Sequence, residues 1–150
     1  MSTAGFVLAC ALDLLGRSAN QLPPIVILEQ RPSEASVNAA AFVRSGDGTI
    51  YLIASSAPFR AALQAQDASR ECRGLDALRL LASIIVHEEW HLKNGNDERG
   101  AYYAQMTELQ RLGVSPDRWA YHSVRRALAA TVKAEAQRLE QARRQLALAP

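Results

Sequence analysis

Residues 75–94 constrain the fold more than any other stretch of this chain. Leu78, Leu81, Ala82 and Ile85 recur at helical spacing, and Asn94-Gly95 supplies a C-terminal stop. This is the strongest helix signal in the sequence, and its apolar face has to be buried against other elements. Those elements can be read around it. Apolar positions 7, 8, 11, 14 and 15 mark an amphipathic first helix, ended by Arg17-Ser18-Ala19-Asn20 and Pro23-Pro24. Ile25–Leu28 is rich in β-branched residues and bracketed by prolines, which predicts a buried strand. A hairpin follows, with strands over Ala39–Arg44 and Thr49–Ala54 and a turn at Ser45-Gly46-Asp47-Gly48. Ser56 is placed to cap a helix running to about Ala65.

After the central helix, a fourth helix is predicted from about Asn96-Asp97 to Gly113. A last one starts at Ser115-Pro116-Asp117 and runs over about 116–148. Its final third is mostly polar, which predicts a protruding or frayed end. The sum is a single α+β domain over 1–150, with a small sheet of about three strands and helices on one side.

Composition excludes several classes of function. With 49% hydrophobic and 21% charged residues in 150 positions, the chain is globular and suits one compact domain. A net charge of +2 gives no electrostatic basis for a nucleic-acid partner. The charge is uneven: residues 1–110 hold 9 basic and 12 acidic side chains, and residues 111–150 hold 8 and 3. The last helix is therefore basic, as a solvated face often is. No apolar run reaches the length of a membrane span. Cys10 and Cys72 lack metal-ligand spacing; a single long-range disulfide between them is the alternative, and two free thiols in a reducing compartment are the expectation. That places the chain in the cytoplasm.

The chemistry concentrates in His87-Glu88-Glu89-Trp90-His91, an HExxH pattern. Four residues are just over one helical turn, about 6 Å of rise, so both imidazoles project from one face. Two ring nitrogens can then reach one Zn²⁺. Glu88 lies beside the pair, where it can take a proton from a water activated by the ion and later pass it to a leaving amine. Two histidines capping a helix C-terminus are the plain alternative, and they would have polar flanks. Ile84-Ile85-Val86 precede the motif instead, which puts His87 and Glu88 at the edge of the core.

A catalytic zinc takes a third protein ligand and leaves a fourth position to water. Glu98 and Asp97, opening the next helix, are the candidates. Glu98 shares a face with Ala101, Tyr102 and Gln105, and Ala101 is small enough for that helix to approach closely. Asp97 can instead serve the helix N-terminus. Glu89 is expected to face solvent. Trp90 and Trp119 read as packing anchors.

These residues resemble the gluzincin zinc metallopeptidases, in which an HExxH helix precedes a helix carrying a glutamate ligand, often as ExxA. The matching residues are His87, Glu88 and His91, then Glu98-Arg99-Gly100-Ala101. Val37-Asn38-Ala39-Ala40-Ala41-Phe42 is similar to the Asn-Ala edge strand that lies above the metal in these enzymes and pairs with extended substrate. The order of the elements agrees as well, over about Ile25 to Gln105. Only six residues separate His91 from Glu98, and the short chain resembles the small single-domain minigluzincins. The resemblance implies a zincin-like fold, one Zn²⁺ held by His87, His91 and Glu98, and Glu88 as catalytic base. It further implies a peptide or protein substrate bound along Asn38 and Ala39. Tyr102 and His122 are further candidates for stabilising an oxyanion, Tyr102 one turn beyond Glu98 and His122 from the last helix.

The expected activity is zinc-dependent peptide hydrolysis. A non-catalytic zincin-like module that binds metal or peptide is the alternative, favoured by the small size and the basic last helix. A metal-free helical regulator would leave the histidine pair without a purpose.

Overall fold

The computed structural model describes residues 1–150 apart from Ser45 and the side chain of Ala19. Among the described residues, five α-helices and three strands follow one another as α1 (Thr3–Leu15), β1 (Ile25–Leu28), β2 (Ala41–Val43), β3 (Ile50–Ile53), α2 (Ala57–Gln64), α3 (Leu75–Asn94), α4 (Glu98–Arg111) and α5 (Trp119–Leu148). The class is α+β, as the sequence predicts. Of the expected hairpin turn, Ser45 lies outside the described residues.

Helix α3 is the axis of the molecule. Residues Ala77, Leu78 and Leu80–Ile85 are all buried, followed by His87, Glu88 and Glu89. Burial on nearly every side means the helix needs partners all round, and α1, α2, α4, α5 and the sheet supply them. Fully buried Phe59, Ile50, Leu52 and Val7 close the core around it. The approach of α4 is tight at Gly100, where an added Cβ would lie 2.3 Å from a ring carbon of Trp90. Trp90 is thus a packing anchor, and no larger residue at 100 permits this helix spacing.

The sheet has the order β1-β3-β2, with β1 parallel and β2 antiparallel to the central β3. Ile50, Leu52 and Ile53 of β3 are completely buried. β1 forms as predicted but on an edge, where Val26 is 41% exposed. β2 is the other edge, and it starts two residues later than the sequence suggests. The backbone at Val37-Asn38 still turns before it becomes extended.

Several expectations are corrected. Cys10 on α1 and Cys72, 62 residues away in the loop before α3, form a disulfide. Neither thiol is free, and the argument they gave for a reducing compartment falls with them. Trp119 is half exposed, so it anchors no core. Pro116 and Asp117 sit in a turn closed by the Arg118 N–H donating to the Ser115 carbonyl at 3.1 Å, and α5 begins after it. Ser56 stands at the start of α2 without a side-chain capping bond. The far end of α5 protrudes as predicted, with residues 136–148 all exposed. No helix among the described residues is long and apolar enough to cross a membrane.

Candidate metal centre

Both histidines of α3 lie on one face at its C-terminal end, and α4 brings Glu98 across to them. The two Nε2 atoms are 3.2 Å apart. Glu98 places one carboxylate oxygen 2.9 Å from His91 Nε2 and the other 3.3 Å from His87 Nε2. Ligands at about 2.0–2.1 Å from a tetrahedral ion stand about 3.3 Å from one another, so the observed spacing fits one small ion with little adjustment. Two imidazoles and a carboxylate are also the donor set such an ion takes. His87, His91 and Glu98 together can hold a metal ion. Asp97, the rival ligand, is outside that group and precedes α4 without a side-chain cap.

Each imidazole is also held from behind. His91 Nδ1 lies 2.7 Å from the Gly95 carbonyl. Gly95 adopts φ 87° and ψ −152°, a conformation open to glycine, and that turn aims its oxygen back at the helix end. His87 Nδ1 lies 3.0 Å from Oε1 of Gln105, which is buried on α4. Gln105 was legible as a member of Glu98's helical face, but not as a partner of His87. Gly95 was legible only as a helix stop. Partners of this kind, behind the ligands, set the orientation of the rings and the basicity of the ligating nitrogens.

The electrostatics follow from the triad. The Glu98 carboxylate beside His91 raises the imidazole pKa to about 9, with the Gly95 carbonyl adding to the shift against the opposing effect of burial. Hydrogen bonds from His87 and then His91 hold Glu98 down to about 2. Glu88, only 7% exposed, makes no hydrogen bond or ion pair with any described residue, and its burial raises its pKa. The carboxylate, without a protein partner, lines a cleft and sits where the sequence puts a base. Glu89 does not face solvent as expected. It too is 7% exposed, held by Arg17 through bonds of 2.7 and 2.8 Å that tie the end of α1 to α3.

His87 and Glu98 of the triad line the same cleft, of about 260 Å³. Its floor is the α3 surface from Leu80 and Ile84 to His87 and Glu88, and Asn38–Ala41 make one wall. Asn38 and Ala39 are therefore at the cleft, although the Ala39 carbonyl already accepts from Arg31 at 2.6 Å. The Ile53 N–H donates to the Ala40 carbonyl at 2.9 Å, so Ala40 faces β3. By alternation Ala41 points its backbone N–H and C=O away from β3.

The opposite wall is α5, through Ser123, Val124 and Ala127. His122 is not part of it. One residue is a 100° rotation on a helix, and His122 is turned out to solvent. Tyr102 does line the cleft, with its ring edge-on to His87 at 4.6 Å between centroids. Burial, with the Glu98 and Glu88 carboxylates, raises the Tyr102 pKa and keeps the phenol protonated. The α5 wall carried no sequence signal, because which face of a long helix meets a cleft depends on how the helix docks. No protein-family model, curated protein or solved structure matches the chain.

Proposed function

We propose that the chain is a zinc-dependent peptide hydrolase of the gluzincin kind, with His87, His91 and Glu98 as ligands and Glu88 as general base. One observation carries the reading: two Nε2 atoms and a carboxylate converge at tetrahedral spacing beside an unpartnered, buried glutamate. When bound, Zn²⁺ supplies Lewis acidity, making water nucleophilic near neutral pH and polarising a carbonyl. Glu88 takes the proton from the attacking water; its raised pKa brings it closer to the working range of a base. The same carboxyl group then gives the proton to the departing amine as the peptide bond breaks. Tyr102, protonated and at the cleft, is the side chain suited to donate to the oxygen that gains charge. His122 has no part in this. An extended substrate pairs with the outward backbone of Ala41 and lies between that edge and α5.

The basic character of α5, whose far end is exposed, favours a second reading, in which the domain binds metal and peptide without cleaving. Mass-spectrometric screening of a diverse peptide library separates the two. The hydrolase reading expects cleavage products from the parent and a loss of roughly two to four orders of magnitude in Glu88→Gln, with bound metal unchanged. Equal turnover by both proteins contradicts Glu88 as the base. Binding without turnover by either favours the second reading.

A further inference from the structure

We infer that Ser83 and Gln105 are positioning residues that set the tautomer of His87 through a hydrogen-bond relay beginning at a backbone carbonyl of α3. The inference rests on the metal-centre reading above. A neutral His87 offers Nε2 to an ion only if its one ring proton is on Nδ1. Nδ1 faces Gln105 at 3.0 Å, and a primary amide can turn either its oxygen or its NH₂ toward a neighbour. The two orientations select opposite tautomers. Oxygen toward His87 accepts Nδ1–H and frees Nε2, whereas NH₂ toward His87 needs a bare Nδ1 and puts the proton on Nε2.

Ser83 makes the choice. Its hydroxyl has one hydrogen, and the Leu80 carbonyl takes it at 2.7 Å. The Ser83 oxygen is left as an acceptor, and Gln105 Nε2 lies 3.1 Å from it. The amide therefore gives its NH₂ to Ser83 and turns its oxygen to His87. Ser83 is completely buried and Gln105 is 4% exposed, so solvent offers neither a competing partner. His91 needs no such relay, because its partner is a backbone carbonyl, which can only accept.

The relay makes a side chain that does not bond the imidazole itself control the ligand's protonation site. A carboxylate at 105 would accept from His87 in either orientation, which makes Ser83 dispensable. The test is zinc affinity by chelator competition for the full chain and for Ser83→Ala, Gln105→Leu, Gln105→Glu and the double variant Ser83→Ala/Gln105→Glu, with thermal melting to confirm folding. Ser83→Ala and Gln105→Leu are each expected to weaken zinc binding about 10- to 100-fold. Ser83→Ala should change affinity by less than about threefold once Gln105 is Glu. An equal loss from Ser83→Ala in both backgrounds indicates lost packing and overturns the relay, as does no loss in either.

A metal-free readout keeps the relay separate from the functional reading. In Glu98→Ala/His91→Ala, which removes both the carboxylate and the ring nitrogen facing Nε2, the ring-nitrogen NMR shifts of His87 should report Nδ1–H, moving toward Nε2–H when Ser83→Ala is added. An unmoved tautomer overturns the proposal. A parent that binds no zinc while the tautomer still moves would defeat the metal reading and leave the relay standing.

Discussion

At the triad, a proton and a metal ion compete for His91. Glu98 and the Gly95 carbonyl favour the imidazolium, whose pKa is raised to about 9. In the metal-free protein this contribution to stability is complete below the ordinary histidine value of 6.5 and is lost as pH rises through about 9. Glu98 works in the other direction. Its carboxyl is held at about 2, so its contribution is complete above 4.5 and lost as pH falls through about 2. Both contributions are present together between pH 4.5 and 6.5. Zinc must displace the His91 proton, so its affinity should rise about tenfold per pH unit below 9 and level off above it. Competition titrations across pH 6–10 check this, and a flat profile would show that no proton leaves on binding. The motif residues were legible because HExxH fixes its own geometry: a helix alone puts both rings on one face. Gln105, Gly95 and Arg17 were not, since each acquires its role only when a second element docks. Glu89 was misread for the same reason, its solvent-facing position being covered by the arrival of Arg17.

At the level of elements, β2 is an edge strand with one side engaged and the other open. Ala41 points its N–H outward, while Phe42, two residues from Ala40, faces β3 as Ala40 does. Proline lacks the N–H, so it distinguishes the two sides. Ala41→Pro should keep the melting temperature and metal binding but lose peptide affinity. Phe42→Pro should remove a ladder bond and lower the melting temperature. Calorimetry with a peptide, run alongside thermal melting, reads both; unchanged peptide binding in Ala41→Pro would exclude this edge as the substrate wall. The strands themselves were legible from β-branched runs and turn residues. Their order was not, because the parallel pairing of β1 with β3 joins segments that carry no local signal for each other. The role of α5 was hidden likewise: its length showed in the sequence, but the docking that turns Ser123 inward and His122 outward did not.

Across the whole molecule, the Cys10–Cys72 disulfide joins the first helix to the approach of α3. Cross-linking residues 62 apart removes enough freedom from the unfolded chain to contribute about 4 kcal/mol. Reduction should therefore lower the urea midpoint markedly while leaving metal binding intact, and an unchanged midpoint would mean the bond does not constrain the unfolded state. Nothing in the sequence announced this pairing, since two isolated cysteines have no spacing that reports their distance in space. The protruding end of α5, by contrast, followed from the polar last third of that helix. All of these features support one centre at the junction of α3 and α4, and its metal content is the direct test. Elemental analysis of protein purified without added metal should find about one Zn²⁺ per chain in the parent and none in His87→Ala, because two remaining ligands do not hold the ion. A parent without stoichiometric metal, or stoichiometric zinc surviving in His87→Ala, would contradict the account.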